Sequence, residues 1–381
     1  MKKSRTCDTP LLTRRDAMRF LAVSAGWGVM SGLGGVDFAA LLQSSASATK
    51  ETFAKGAIIR TILKDLPPEA VGGSGAIMFH EHVSLTAAGL LKLGIGRPSA
   101  TPQTPPSRMD PGEPYFMEDM KVMVDEVKTA IKDGLGCIVD AGHTDIGRSI
   151  QQLRGLAQTT GLQIVASGGY HTQPSYPPEL TRQTDDQIAD GLVRDARTER
   201  WGAFGEIGSA ADMTPDERKV FRAVGKAHVK TNLPIFTHTA GGRPALEQLD
   251  IFESVGVKPQ RVMIGHMGGT NDPTVPKAVC SRGAYIGFDQ IARSYTQPQR
   301  LEAQVRMIVT LIDVGYADHV LLGTDLAFKN ETKHSGGAGY GGVLTVFVPM
   351  LRQAGVKDEM LNRILVGNPR RLLAFVPMKS S

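Results

Sequence analysis

Short apolar runs alternate along this chain with longer segments in which apolar residues recur every three or four positions. Residues 120–131 have this helical spacing, and Gly134 follows them as a helix terminator. Strand-like runs that alternate with helical segments predict βα units and a parallel sheet. The apolar runs with the length of buried strands are 75–80, 136–141, 162–167, 203–206, 234–238, 262–266, 285–289 and 320–325.

These βα units, in a chain of 381 residues, predict an α/β protein whose strands close into a (β/α)8 TIM barrel. Thr214 begins a capping box with Glu217 and predicts a helix that continues through Val229. Residues 58–70 predict a small β-hairpin that closes the bottom of the barrel. Residues 90–115 are rich in Pro, Gly and Ser and follow the first strand, so we expect an insertion loop on the active-site face.

Residues 1–48 have the pattern of an export signal. Arg14 and Arg15 precede an apolar run that ends at an Ala-Ser-Ala cleavage pattern. Paired arginines at this place predict a twin-arginine signal peptide and a mature domain, 49–381, in the periplasm. A membrane helix is the alternative, but glycines and Asp37 interrupt the apolar run, so we expect no stable membrane anchor.

The composition is that of an ordinary globular protein, with 41% hydrophobic and 21% charged residues, which excludes disordered and disulfide-stapled classes. Three of the five net positive charges fall within residues 1–48. The remainder of the chain therefore gives no electrostatic reason to expect nucleic acid as a partner.

Cys137 and Cys280 lie in or just before predicted strands and have no CxxC partner, which predicts buried free thiols.

Ligand-type side chains end several of the predicted strands, which is where barrel enzymes place catalysis. His80 and His82 form a His-x-His at the first strand, and residues two apart in a strand point to the same side. Alone, this motif is equally well explained by two hydrogen-bonded or exposed histidines. Its repetition around one barrel mouth favours metal, because a buried charge is costly unless it is paired or bound to an ion. The candidate ligands are His80, His82, Glu206, His238, His266 and Asp325.

Mixed imidazole and carboxylate ligands suit zinc, with manganese, cobalt and iron as alternatives. Glu206 has two oxygens and is placed to bridge two ions, which lie about 3.5–4 Å apart in such centres. Two such ions generate a bridging hydroxide at neutral pH and polarise a carbonyl or phosphoryl oxygen. Asp325 is predicted both to ligate one ion and to act as the catalytic residue that takes the hydroxide proton. The sequence therefore predicts a hydrolase with two divalent metal ions per chain.

The motifs that surround these residues occur in one order: Phe-His-Glu-His-Val at 79–83, Ile-Val-Asp-Ala-Gly-His-Thr-Asp-Ile-Gly-Arg at 138–148, Thr-His-Thr-Ala at 237–240, Ile-Gly-His at 264–266 and Gly-Thr-Asp-Leu at 323–326. With them, the chain resembles the phosphotriesterase family of the amidohydrolase superfamily from about Ile58 to Phe375. The resemblance implies the same six metal ligands and a small-molecule ester substrate. Because relatives are often dimers, it also implies a homodimer as one expected assembly.

Three positions depart from the best-known members of that family. Glu206 stands where they have a carboxylated lysine, and the phosphotriesterase-related proteins, which this chain resembles most, also carry glutamate there. Gln290 follows Asp289, where triesterases have His and many lactonases have Arg. Gly268 and Gly269 stand where the triesterase proton relay needs a carboxylate after the histidine of the sixth strand. We therefore expect a lactone or carboxylic ester to be a better substrate than a phosphotriester.

Three residues are predicted to bind the substrate. Tyr170 falls where lactonases use a tyrosine, and Gln290 follows the seventh strand. Arg243, beyond the fifth strand, is suited to an acidic group of the substrate, with a solvated loop arginine as an equal alternative. His143 and His171 are interpreted as hydrogen-bonding loop residues on the same face. Two other functions remain as alternatives: a periplasmic zinc-binding protein without turnover, and a dedicated phosphotriesterase.

Overall fold

The structure of this chain is a computed structural model that describes residues 51–95 and 115–378. The predicted signal peptide and most of the predicted insertion, residues 96–114, lie outside the described residues, as do residues 379–381. Within the two described ranges, no helix has both the length and the apolar character needed to span a membrane.

The apolar runs form the wall of a (β/α)8 TIM barrel, so the predicted fold class is confirmed. Parallel hydrogen bonding joins three strand segments in one part of the wall and six, in chain order, in the other. The nine segments make eight barrel strands, because the third predicted strand is divided at Ala166 into Gln163–Val165 and Ser167–Gly168. The backbone N–H of Asp325 donates to the carbonyl of His80 at 3.3 Å, where the end of the last strand returns to the first barrel strand. The strands are β1 (Ile59–Arg60), β2 (Asp65–Leu66), β3 (Ala76–Glu81), β4 (Leu135–Asp140), β5 (Gln163–Val165), β6 (Ser167–Gly168), β7 (Ala203–Gly208), β8 (Ile235–His238), β9 (Val262–Ile264), β10 (Tyr285–Phe288) and β11 (Val320–Leu322).

Helices follow the barrel strands along the chain. The predicted capping box is present: the Thr214 hydroxyl accepts from the N–H of Glu217 at 3.1 Å, and the Glu217 carboxylate accepts from the N–H of Thr214 at 2.9 Å. Single π-helical turns over Val343–Phe347 and Arg363–Gly367 each continue directly into a short α-helix near the end of the chain. The α-helices are α1 (Ala87–Lys92), α2 (Met120–Lys132), α3 (Ile150–Thr160), α4 (Asp185–Thr198), α5 (Pro215–Thr231), α6 (Ala245–Ser254), α7 (Thr274–Ser281), α8 (Ile291–Ser294), α9 (Pro298–Asp313), α10 (Val348–Gln353), α11 (Asp358–Asn362) and α12 (Asn368–Leu373).

The hairpin predicted ahead of the barrel is present, because β1 and β2 pair antiparallel. The N–H of Ile62 donates to the carbonyl of Ile164 at 2.8 Å and attaches the hairpin to β5. An antiparallel bridge between Ile58 and Phe375 joins it to the segment that follows α12.

Alternate residues of the barrel strands face two different cores. Inside the barrel, the rings of Phe79 and Phe236 pack edge to face with centroids 5.3 Å apart, beside Leu321. Outward residues such as Met78 belong to the second cluster, which includes the apolar faces of the helices. The ring of His80 lies 5.7 Å from that of Phe236. The apolar barrel interior therefore forms the floor beneath the strand ends.

Several barrel strands end earlier than the sequence predicted, and two of them end before a predicted metal ligand. β9 stops at Ile264 and β11 at Leu322, where strands through 266 and 325 were expected. The backbone turns out of the sheet because His266 and Asp325 have left-handed φ angles of 59° and 49°. His80, within β3, has φ 76° at an irregularity in the pairing with β4. Such conformations cost about 1–3 kcal/mol in non-glycine residues and concentrate at functional sites. Regular strand alternation is therefore interrupted at the first histidine of the His-x-His.

Candidate metal centre

The structure brings the six predicted ligand residues together at the C-terminal mouth of the barrel. They come from the ends of β3, β7, β8, β9 and β11 or from the residues that follow directly. Five of them are buried, and the side chain of His238 is 25% exposed. Residues from five strands can meet here only because a closed barrel directs all its strand C-termini to one face.

Glu206, in β7, lies at the centre of this cluster. Its Oε2 is 3.0 Å from Nε2 of His80 and 2.9 Å from Nδ1 of His238. Its Oε1 is 3.2 Å from Nε2 of His82. One carboxylate thus contacts histidines on both sides of the cluster, which is the position that a bridging ligand needs.

The remaining ligand atoms complete two overlapping groups around Glu206. Oδ1 of Asp325 is 3.2 Å from Nε2 of His82, on one side. Nε2 of His266 is 2.8 Å from Nδ1 of His238 and 3.7 Å from Glu206 Oε2, on the other. Within each of the groups His80–His82–Asp325 and His80–Glu206–His266, the ligand atoms all lie within 4.8 Å of one another.

Asp289, one residue beyond β10, orients two of the imidazoles from behind. Its carboxylate lies 2.9 Å from Nδ1 of His80 and 2.8 Å from Nδ1 of His266, and also accepts from the backbone N–H of His266 at 3.0 Å. A proton held on Nδ1 by such a partner leaves Nε2 as the free ligand atom. Burial alone would raise the pKa of Asp289, but the charges of His266 and His80 lower it to about 2.

The charges of this buried cluster fit a divalent cation. Burial by itself would raise the pKa of Glu206 and of Asp325, yet neighbouring histidines, and Arg293 for Asp325, lower both. Burial would lower the pKa of His82, but its contacts with Asp325 and Glu206 raise it to about 10. Positive charge beside these buried carboxylates is therefore favourable. Moreover, both ring nitrogens of His80 are buried without a well-aligned hydrogen bond among the described residues, although Nε2 faces Glu206 at 3.0 Å and Nδ1 faces Asp289 at 2.9 Å. Imidazole and carboxylate donors in this arrangement suit zinc or a similar ion.

Comparison with protein-family models matches residues 67–373 to the Phosphotriesterase family. The chain belongs to the phosphotriesterase family. It is 31% identical over 253 residues to the phosphotriesterase homology protein of Escherichia coli K12, covering 64% of this chain and 85% of that protein. It is 29% identical over 276 residues to an aryldialkylphosphatase of Saccharolobus solfataricus, covering 68% and 86%. A lactonase structure from Listeria monocytogenes matches with a TM-score of 0.71 at 26% identity, covering 83% of this chain and 98% of the lactonase.

Family membership makes this chain a hydrolytic enzyme, and the predicted family resemblance is confirmed. Glu206, the central residue of the cluster, is a carboxylate without any modification. Gln290, the other departure near the ligands, donates from Nε2 to Oδ2 of Asp325 at 3.3 Å and accepts from Arg300 at 2.7 Å. The glutamine therefore contacts the predicted catalytic carboxylate directly.

A cavity of about 350 Å³ opens over this centre. Its described wall includes none of the three predicted substrate residues, Tyr170, Arg243 and Gln290, although Gln290 contacts Asp325 beside it. The ring of Tyr170 packs against that of Tyr176 with centroids 5.9 Å apart. The Arg243 side chain is 69% exposed and lies 3.3 Å from Asp212, as expected for a solvated loop arginine. The structure therefore does not bring these two side chains to the described cavity.

The cavity wall instead carries two polar residues beside the carboxylates of Glu206 and Asp325 that the sequence reasoning did not assign to the site. His171 was interpreted as a hydrogen-bonding loop residue, but its Nε2 lies 3.6 Å from Oε1 of Glu206. Arg293 of α8 was not singled out, and its guanidinium lies 3.4 Å from Oδ2 of Asp325. The sequence feature that could have identified His171 was its position just after the predicted strand at 162–167, where the chain turns over the barrel mouth. No motif marks Arg293.

Proposed function

We propose that this hydrolase holds two divalent metal ions, for which zinc is the best match, and cleaves an ester bond of a small molecule. The observation that carries the proposal is the position of Glu206. Its two carboxylate oxygens lie 2.9–3.2 Å from nitrogens of three different histidines. A carboxylate shared by two groups of ligands is what a two-ion centre uses as its bridge.

The distances between the proposed ligands divide them into two sets, one for each ion. When bound, the ions act as Lewis acids on the carbonyl or phosphoryl oxygen and lower the pKa of a nearby water. Asp289 holds two imidazoles with Nε2 directed toward the centre. His80, His82 and Asp325 would hold one ion, His238 and His266 would hold the other, and Glu206 would be a ligand shared by both.

Asp325 is the proposed catalytic base. Its Oδ1 faces Nε2 of His82 at 3.2 Å, while Oδ2 accepts from Gln290 at 3.3 Å beside the cavity. The two contacts fix the plane of the carboxylate, so that it can accept the proton of the attacking water and deliver it to the leaving oxygen. Positioned acid–base catalysis of this kind contributes about 10²–10⁴-fold to the rate.

The cavity supports an acyl substrate with an apolar portion. Leu90, Leu93, Ile146 and Phe328 supply apolar side chains to its wall. Among the described lining residues, Arg293 carries the only permanent positive charge. Its guanidinium is suited to a carbonyl or carboxylate oxygen of the substrate, because it presents several N–H donors in fixed geometry.

A lactone or carboxylic ester is the proposed preferred class, ahead of a phosphotriester. Gly268 and Gly269 follow His266 and offer no carboxylate to relay a proton, and Gln290 has no ionisable group. The structural similarity to a lactonase, at 26% identity, supports the same preference.

The proposal is tested by assaying metal-loaded and chelator-stripped protein against lactones, aryl carboxylic esters and an aryl phosphotriester. We expect activity that depends on metal and a larger kcat/KM for a lactone or carboxylic ester. A phosphotriester that wins by a wide margin indicates a dedicated phosphotriesterase. Bound metal without turnover of any of the three classes indicates a metal-binding protein instead.

We also propose export through the twin-arginine route, on the basis of Arg14, Arg15 and the cleavage pattern at 46–48. Replacing both arginines with lysine should leave the precursor in the cytoplasm, and the exported wild-type protein should begin near Thr49. Cell fractionation with N-terminal sequencing measures both. Normal export of the double variant contradicts this route.

A further inference from the structure

His171 was not among the six predicted ligands, yet it lies next to two of them, Glu206 and His238. Its Nε2 is 3.6 Å from Oε1 of Glu206, and its ring centroid is 4.7 Å from that of His238. One nitrogen of His171, one oxygen of Glu206 and one nitrogen of His238 all lie within 4.8 Å of one another. These three side chains therefore form a third ligand group, which shares Glu206 with the group His80–Glu206–His266.

The spacing of these atoms matches ligands of a single ion. Zinc binds imidazole nitrogens and carboxylate oxygens at about 2.0–2.2 Å, so two ligands of a tetrahedral site lie about 3.4 Å apart. Nε2 of His171 lies 3.6 Å from Oε1 of Glu206, and Nδ1 of His238 lies 2.9 Å from Oε2 of the same carboxylate. A loop histidine that served only as a hydrogen-bonding residue would not need to lie this close to both Glu206 and His238.

The surrounding loop holds His171 with Nε2 directed into the centre. The other ring nitrogen, Nδ1, lies 3.2 Å from the hydroxyl of Thr172. The backbone N–H of His171 donates to Oδ2 of Asp145 at 3.1 Å, and Asp145 is itself fixed by the hydroxyl of Ser175 at 2.6 Å. Within the described residues, Nε2 of His171 makes no hydrogen bond, and the ring is 10% exposed. Both ends of the residue are thus anchored while one nitrogen is left for a ligand.

We propose that His171 is an additional protein ligand, through Nε2, of the ion held by Glu206, His238 and His266. This inference rests on the proposed two-ion centre and deepens it. Three imidazoles and a carboxylate then surround this ion, while the ion at His80 and His82 has no added ligand. With His171, each ion has four protein ligands, so loss of this imidazole should weaken the binding of one of the two ions and leave the other unchanged.

The test is His171→Asn, which keeps an amide nitrogen near the place of Nδ1, and hence the contact with Thr172, but removes Nε2. His319→Asn is the matched control, because Nδ1 of His319 bonds only the carbonyl of Ala284, at 2.9 Å, away from the centre. Zinc dissociation constants of apo-protein are measured by chelator competition, and cobalt-substituted protein is followed by its visible spectrum.

In His171→Asn, we expect one of the two dissociation constants to rise by at least about tenfold, the lower limit for loss of even an indirect ligand partner. The cobalt bands should change, and His319→Asn should leave both readouts at the wild-type values. His171→Gln, with a polar atom nearer the place of Nε2, should give an intermediate affinity and serves if the asparagine variant does not fold. Wild-type affinities and an unchanged cobalt spectrum in the folded variants overturn the role of His171. Absence of bound metal in the wild type overturns the proposed function itself.

Discussion

Replacing Asp289 with asparagine should weaken metal binding although the residue is not one of the proposed ligands. Asp289 is fully buried and contacts Nδ1 of both His80 and His266, at 2.9 and 2.8 Å. Asparagine has nearly the same shape but only one acceptor oxygen, and its amide group donates. One of the two imidazoles therefore loses its partner and faces a donor instead, which releases its orientation and its tautomer.

The expected magnitude follows from this loss of one ring contact. Removing the partner of a metal-bound histidine typically lowers metal affinity by about 10–100-fold, or about 1.4–2.7 kcal/mol. Asp289 contacts one proposed ligand of each ion, His80 and His266, so the effect can fall on either ion. The backbone N–H of His266, which donates to the same carboxylate at 3.0 Å, can still bond the remaining oxygen, so the loop should stay folded.

The assay is chelator competition with apo-protein of the wild type and Asp289→Asn, combined with thermal unfolding of both apo-proteins. Asp250→Asn is the matched control, since that carboxylate is 67% exposed and pairs with Arg282 at 2.8 Å, away from the centre. The control should bind metal like the wild type. If Asp289→Asn binds both ions with wild-type affinity, the proposed positioning of His80 and His266 is refuted.

Three further predictions follow from single contacts. Asp325→Asn should lower kcat by about 10²–10⁴-fold on any accepted substrate, as measured by steady-state kinetics. Elemental analysis should show that most of the metal remains bound. A kcat near the wild-type value contradicts the role of Asp325 as the base. Cys137 and Cys280 are buried free thiols, as predicted, and burial raises the pKa of each to about 12. Both thiols are therefore protonated at pH 8, and in a Cys7→Ser background the native protein should react with a thiol reagent only after denaturation. Thr214→Ala removes the cap contact with Glu217 at 3.1 Å and should cost about 1 kcal/mol in the free energy of unfolding, measured with urea.

The amino-acid sequence by itself determined the barrel and most of the centre. Strand and helix periodicity depends on local apolar patterning, so the order of βα units and the hairpin over 58–70 were readable. The capping box at Thr214 was also readable, because its partners lie three residues apart. The six ligand-type residues could be identified because each stands at a strand end, and a closed barrel brings all strand ends to one face.

Tertiary structure alone decided which side chains of the connecting loops reach the centre. The prediction selected Tyr170, whereas the structure turns its neighbour His171 toward Glu206 and packs Tyr170 against Tyr176. Beyond a strand end, the direction of a side chain depends on individual backbone dihedrals and on contacts with distant residues, such as the bond from His171 to Asp145. The left-handed φ angles of His266 and Asp325 likewise redirect the chain where it leaves a strand. No periodicity records these angles or contacts, so adjacent loop residues cannot be told apart until the chain is folded.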